Sequence, residues 1–333
     1  MSRPSRPSPF RAWWAQRSPA EGAAVMACGI VSLALHLAGY EVLSRIMLGV
    51  ACVAWAGLAA EFALRLLREH TRWRAEAQTP GALTAVAATT VIGSRFAAEG
   101  WSTLAEALLA LAAVLWPPLL VLVVRSWQPR MPGAVFLCCV ATQGLALLAA
   151  TLAAAESAAW PAHAALALFW FGLVLYAFAL ARFDLRQTAE GQGDQWVAAG
   201  ALGISALAGS KLLAADSVRL YLWNVDDSHV LRVMTMVLLV LDLVLCVVLL
   251  AGEIRWPRTA YDPRRWSTVF PLGMTATAAL STSAVVDAPW LDGLGEVLVW
   301  IAVAAWLAVA IGAVRSAVGP GPVPEGIRST ARR

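Results

Sequence analysis

Charged residues are scarce in this 333-residue chain. Only 14% of its residues are Asp, Glu, Lys or Arg, whereas 60% are hydrophobic. Soluble domains carry about 25% charged residues, so the composition excludes a soluble domain and predicts an integral membrane protein. Lys211 is the only lysine, and arginine supplies the remaining positive charge. We interpret the formal net charge of +4 as a sign of topology and of contact with acidic lipids, and we expect no nucleic-acid partner.

Residues that commonly build catalytic or metal sites are also few and scattered. The four histidines form no HxxxH pair, and the chain has neither a Gly-rich phosphate loop nor a serine nucleophile elbow. A membrane enzyme would instead place clustered ligands or acid–base groups near one interface. We therefore predict no metal, no cofactor and no enzymatic activity. The cysteines all lie in apolar segments at spacings that suit neither a metal site nor exposed disulfides, and they are Cys28, Cys52, Cys138, Cys139 and Cys246.

The chain is dominated by ten apolar spans of roughly 18–25 residues, long enough to cross a hydrocarbon core of about 30 Å. Spans rich in small residues alternate with spans rich in bulky ones. Small residues allow close helix approach, whereas bulky ones suit lipid contact. We predict an all-α membrane protein of ten transmembrane helices, arranged as five hairpins in quasi-fivefold order around a central pore. The small-residue spans are 22–39, 81–98, 133–154, 196–214 and 266–285, and the bulky ones are 44–66, 101–124, 160–183, 229–254 and 291–313.

Three regions follow from this pattern. Residues 1–21 are predicted to be a basic cytoplasmic segment, 22–315 the transmembrane domain, and 316–333 a disordered, basic cytoplasmic tail. Arginines gather on one side of the predicted membrane and acids on the other, so the positive-inside rule predicts that both termini are cytoplasmic. The first span is expected to act as an uncleaved targeting signal. The predicted location is the plasma or inner membrane, with multiple crossings.

The small-residue spans, numbered one, three, five, seven and nine, contain no Asp or Glu but carry hydroxyls. Such groups can hydrogen-bond a passing ion without a fixed charge, which predicts a pore wall. The alternative is that they join helices or bond to their own backbone. Arg95 and Lys211, near the outer ends of their spans, predict an anion-attracting mouth; alternatively they reach the headgroups or pair with Glu99 and Asp216. The candidate pore-lining residues are Ser32, Thr89, Thr90, Thr142, Ser205 and Thr275.

Asp242 and Phe270 stand out within the apolar spans, one as an acid and the other as a large ring beside a proline. Asp242 lies deep in VLLVLDLVLCVVLL, where an isolated charge is costly, so we expect it to be protonated or hydrogen-bonded. A structural contact and a proton relay remain open for it. In RWSTVFPLGMTATAALSTS, Phe270 precedes Pro271, which removes a backbone donor and favours a kink. Phe270 then either projects into the lumen as a hydrophobic gate or packs as a core phenylalanine.

Four segments carry a family resemblance: GAAVMACGIVS, TTVIGSRF, GALGISALAG and RWSTVFPLG, in spans one, three, seven and nine. With the ten spans in order over 22–315, the chain resembles the tellurite-resistance/C4-dicarboxylate transporter family, which includes bacterial and plant slow-type anion channels. The resemblance implies five hairpins around a pore, a homotrimer, and a ninth-helix phenylalanine that occludes the pore, matched here by Phe270. It implies transport of small inorganic anions. The alternatives are a C4-dicarboxylate carrier, with or without proton coupling, and tellurite permeation.

Overall fold

The computed structural model describes residues 21–190, 193–216, 222–256 and 261–318. Within these ranges, every regular element is helical. Short helices at His70–Ala77 and Gln187–Glu190 and 3-10 turns at Pro80–Leu83, Gly133–Phe136 and Pro263–Arg265 join the ten main helices. These are α1 (Glu21–Leu37), α2 (Glu41–Arg68), α3 (Thr84–Ala98), α4 (Ser102–Arg125), α5 (Leu137–Glu156), α6 (Ala159–Arg182), α7 (Trp196–Ala215), α8 (Val225–Arg255), α9 (Trp266–Val286) and α10 (Trp290–Val318).

Within the described residues, nine helices, α2 to α10, are long and apolar enough to cross a membrane. For α3, α5 and α9 the span includes the 3-10 turn that precedes the helix. Helix α1 is apolar but has 17 residues, which gives about 26 Å at about 1.5 Å per residue. The predicted basic segment 1–21 lies outside the described residues except for Glu21. Of the predicted tail, 316–318 continue α10 as helix, and 319–333 lie outside the described residues.

Burial alternates along the chain as the side-chain sizes predict. In the most apolar stretches of α3, α5, α7 and α9, between 72% and 94% of residues are buried. In α2, α4, α6, α8 and α10 the share is only 17% to 33%. The odd helices therefore form the interior, and the even helices present Val, Leu, Ile, Phe and Trp outward, as lipid contact requires.

The odd helices contact one another in a closed cycle. Helix α1 packs against α3, α3 against α5, α5 against α7, α7 against α9, and α9 against α1 again. Each odd helix also packs against the even helix that follows it. Small side chains make this close packing possible because they allow neighbouring backbones to approach.

Side-chain hydrogen bonds join each of four even helices to the odd helix of the next pair. An indole N–H or a thiol inside the membrane needs a protein partner because lipid offers none. The last of these bonds joins α10 to α1 and so links the two ends of the described chain. The pairs are Trp55 Nε1 to Thr89 at 2.9 Å, Trp116 Nε1 to Thr142 at 2.9 Å, Cys246 Sγ to Thr275 at 3.1 Å and Trp306 Nε1 to Cys28 Sγ at 3.2 Å.

Four odd helices end at residues in the left-handed region of backbone conformation. Gly39 and Gly100 each have a φ of 83°, and Ser157 and Asp287 have φ values of 53° and 54°. A left-handed residue terminates a helix and turns the chain back. These turns explain how α2, α4, α6 and α10 each start within a few residues of the preceding odd helix.

Candidate functional site

A cavity of about 340 Å³ opens where the odd helices begin, a side that we call the N-terminal face. All five odd helices contribute to its wall, either from their first turns or from the segment just before. Their contributions include Met26, Thr84, Leu137, Val197 and Phe270. The cavity therefore lies on the axis that the cycle of odd helices encloses, and Phe270 lines it from α9.

The electrostatics of this cavity come from helix ends and two side chains. The N-terminus of a helix carries a partial positive charge of about half an elementary charge, and its first N–H groups lack intrahelical acceptors. No side-chain cap occupies the starts of α5 and α7 or the 3-10 turns before α3 and α5. Arg264 and Asp194 also line the cavity. The convergence of helix starts makes the cavity favourable for an anion.

The Phe270 ring is buried, with 2% of its surface exposed, and packs against α7 at Gly200. A Cβ atom at Gly200 would lie 2.9 Å from Cε1 of the ring and 3.1 Å from Cγ of Pro271. Only glycine fits this contact without a shift of its neighbours. Helix α9 continues through Pro271, whose carbonyl accepts a hydrogen bond from the Thr275 hydroxyl at 3.0 Å.

The six predicted pore-lining hydroxyls are all buried and all hydrogen-bonded. Ser32 exchanges 2.7 Å hydrogen bonds with Ser44 on α2, each hydroxyl donating to the other residue's carbonyl. The other five donate to carbonyls of their own helix. These contacts agree with the alternative interpretation, in which the hydroxyls serve packing, and the lining of a pore by these residues stays a prediction. The pairs are Thr89 to Ala85, Thr90 to Ala87, Thr142 to Cys138, Ser205 to Ala201 and Thr275 to Pro271.

Arg95, one of the two predicted mouth residues, is fully buried near the end of α3, on the face opposite the cavity. Its Nη2 donates to Glu99 at 2.7 Å and lies 3.4 Å from Glu41, and its Nε donates to Ser44 at 3.0 Å. This is the ion pair that the sequence offered as an alternative. Lys211 is half-buried in the last turns of α7. The anion-attracting role of both residues stays a prediction.

The same network shifts the pKa of Glu99, which lies just beyond α3. Burial alone would raise this pKa, but the hydrogen bonds and charges of Arg95 and Arg45 lower it by more, so it lies below the ordinary value. Glu99 is therefore a carboxylate at neutral pH, and it neutralises a guanidinium that has no contact with water.

Other titratable groups are placed as follows. Glu61 and Arg65, one turn apart on α2, form an ion pair near the N-terminal face. Asp242 is fully buried in α8, and all five cysteines are free thiols. Within the described ranges, no three His, Cys, Asp or Glu side chains come together as metal ligands.

Sequence inspection missed Asp194 and Arg264 as cavity residues and Gly200 as the seat of the Phe270 ring. Arg264 is one of the arginines that the positive-inside rule explains, and no pattern in the sequence distinguishes Asp194 from other acids between spans. Gly200 was only one of many small residues in α7. A signal was present, because Gly200 and Gly203 lie three residues apart and hence on one helix face.

Comparison with known protein families adds an independent observation. A family model described as SLAC1, voltage-dependent anion channel, matches residues 17–314, which is most of the chain. The chain belongs to the voltage-dependent anion channel family. No curated protein matches it closely enough to be named as a relative. Membership in the voltage-dependent anion channel family confirms the resemblance seen in the four segments and makes this a membrane protein of anion transport.

Proposed function

We propose that this protein is a channel for small anions in the inner or plasma membrane, with a central pore closed by Phe270. The observation that carries the proposal is the cavity at the N-terminal face, lined by the beginnings of all five odd helices and by the Phe270 ring. In the proposed architecture, ten helices form five hairpins, and the odd helices enclose the pore in quasi-fivefold order.

The packing supports a pore on this axis. The odd helices contact each other in a ring, while the even helices lie at the lipid side with 17% to 33% of their apolar stretches buried. A ring of five helices leaves an axial space that side chains must fill to stop conduction. Phe270 is a fully packed ring that reaches that space, and such an apolar constriction excludes hydrated ions.

The charge of the residues and helix ends in the cavity wall supports an anion as the transported ion. The starts of α3, α5 and α7 converge there without side-chain caps, and their partial positive charges favour anions, whereas Asp262 caps the 3-10 turn before α9. Arg264 adds a full positive charge, and Asp194 is the acid that opposes it. We propose that the N-terminal face is cytoplasmic, because the even helices end there in arginines. These are Arg65 and Arg68 on α2, Arg125 on α4, Arg182 on α6, Arg255 on α8 and Arg315 on α10.

Stepwise reduction of the Phe270 side chain tests the gate. We expect the chloride current in reconstituted planar bilayers to rise in the order Phe270→Leu, Phe270→Val, Phe270→Ala, because each step removes part of the apolar constriction. A barrier lowered by about 1.4 kcal/mol raises current about tenfold. Phe169→Ala is the matched control, because Phe169 is equally buried but lies on α6 away from the cavity.

Both alanine variants lose a buried ring, so both are expected to lose about 3–5 kcal/mol of stability. Thermal unfolding in detergent checks that each remains folded at the temperature of the recording. If the Phe270 variants are folded and conduct no more than the parent, Phe270 is not the gate. Comparison of chloride, nitrate, malate and tellurite currents identifies the preferred anion class.

A proton-coupled dicarboxylate carrier is the second candidate, and Asp242, a fully buried acid within α8, is the observation that favours it. Malate uptake into vesicles that depends on a pH gradient and fails without one would support this carrier over a channel. We further propose a homotrimer, as the family resemblance implies, which mass measurement of the detergent-solubilised protein tests.

A further inference from the structure

Asp242 lies at the meeting point of three helices. It is fully buried in α8, which packs against both α7 and α9. A Cβ atom at Gly203 of α7 would lie 2.9 Å from Asp242 Oδ2 and 3.2 Å from Cβ of Met274 on α9. The missing side chain at Gly203 therefore lets the carboxyl group approach the α7 backbone closely.

The two glycines on this face of α7 serve neighbouring contacts. Gly200 seats the Phe270 ring and Pro271, and Gly203 seats the Asp242 carboxyl group. Because residues three apart lie one above the other on a helix, the buried acid is one helical turn from the ring. The acid and the ring thus share the interface between α7 and α9.

A chain of polar contacts links the acid to the residue after Phe270. The Cys246 sulfur lies 3.7 Å from Asp242 Oδ1 and 3.1 Å from the Thr275 hydroxyl oxygen, so its single S–H group can point to either oxygen. That hydroxyl donates to the Pro271 carbonyl at 3.0 Å. These contacts connect the Asp242 carboxyl group with the turn of α9 that carries Phe270.

The carboxyl group has too few partners for a full negative charge. Among the described residues, Oδ2 has no hydrogen-bond partner. The titratable groups around it are Cys246 on its own helix and Tyr176 on α6, and neither is positively charged. Helix α7 presents Gly203 and α9 presents Thr275 and Met274, none of which titrates. A buried charge without a counter-charge is costly.

We propose that Asp242 is a positioning residue for the Phe270 gate, neutral while the ring rests on Gly200 and ionised when the gate opens. This inference rests on the proposed channel function. Loss of the proton leaves a charge against the α7 backbone, which weakens the packing of α7 and α9 that holds the ring. Opening of that interface admits water to the carboxylate and releases the ring from its seat. No bond other than the O–H bond is broken, and the proton passes to water.

Bilayer currents as a function of pH, equal on both sides, test the coupling. If the closed and open arrangements differ tenfold in proton affinity, current rises about tenfold from the acid to the alkaline side of the titration. Asp242→Asn keeps the shape and neutrality of the protonated acid, so its current should stay low and independent of pH. Thr275→Val should weaken the pH response because it cuts the link to Pro271. Glu106→Gln is the control, because this acid is exposed on α4 and the pH response should persist.

Infrared difference spectroscopy provides a reading that does not depend on transport. The carbonyl stretch of a protonated carboxyl group should be present in the parent protein at neutral pH and absent in Asp242→Asn. Its absence from the parent overturns the inference. An equal pH response in the parent and in Asp242→Asn also overturns it, while larger currents in Phe270→Ala still support the gate. Absence of anion current in all variants, Phe270→Ala included, overturns the proposed function itself.

Discussion

Replacement of Gly200 by alanine tests the proposed closed position of Phe270 most directly. The added methyl carbon would lie 2.9 Å from Cε1 and 3.1 Å from Cδ1 of the ring, and 3.1 Å from Cγ of Pro271. Carbon atoms pack at about 3.5–4.0 Å, so the ring must retreat by roughly 0.7 Å. Overpacking of this kind costs about 1–3 kcal/mol.

In the proposed channel, the cost of the contact with the ring falls on the closed arrangement, because that contact exists only while the ring rests on α7, whereas the contact with Pro271 is independent of the ring. A penalty of one or two kcal/mol changes a two-state ratio by a factor of about 5–30. We therefore expect Gly200→Ala to raise the chloride current in planar bilayers by about this factor, in the same direction as Phe270→Ala. In the Phe270→Ala background, Gly200→Ala should raise the current by much less, because the ring is gone and only the contact with Pro271 remains.

Gly209→Ala separates this effect from general strain in α7. A Cβ atom there would lie 2.3 Å from the Thr235 hydroxyl oxygen and 3.4 Å from Phe169, so the variant strains the same helix away from the proposed gate. It should lose stability without the rise in current. A folded Gly200→Ala protein with unchanged current, or equal currents from both variants, would refute the assignment of Gly200 as the seat of a closed gate.

Two further predictions concern stability. Glu99→Gln should lower the free energy of unfolding by about 1–3 kcal/mol, because Arg95 stays buried with a weaker partner. Because the pKa of Glu99 is lowered in the folded protein, its contribution is complete above the ordinary carboxyl pKa. It disappears as the pH falls through the lowered value, so thermal unfolding of the parent and of Glu99→Gln should converge in acid. Trp116→Phe should lower the free energy of unfolding by about 0.5–1.5 kcal/mol, because it removes the hydrogen bond to Thr142. Its ion selectivity should be unchanged, and altered selectivity would instead support Thr142 as a pore-lining residue.

The alternation of small and bulky spans predicted which helices are buried, because helices with small side chains can pack closely against other helices, whereas bulky apolar side chains suit contact with lipid. Helix positions agreed with the predicted spans to within a few residues. The short helix His70–Ala77 was missed because it is polar and lies between spans. The shortness of α1 was missed because apolar residues continue past Leu37 to Gly39, where the left-handed turn ends the helix.

Hydrogen-bond partners on different helices were harder to predict from the sequence than the burial of each helix. Ser32 and Ser44 are twelve residues apart on separate helices, and no sequence period aligns them. The same holds for the indole of Trp116 and the hydroxyl of Thr142. Hydroxyl content alone cannot separate a residue that faces an ion from one that receives a tryptophan N–H, since both need the same chemical group.

The hydrogen bond from Trp306 to Cys28 joins the last helix pair to the first, and this has a consequence for chain order. Helix α10 ends on the face where α1 begins, so a linker between 318 and 21 would run along one surface. A circular permutant with this linker and with new termini at 126–132, between α4 and α5, should therefore keep all four side-chain hydrogen bonds between neighbouring helix pairs. The packing of the odd helices in a closed cycle therefore does not require the chain to begin at α1.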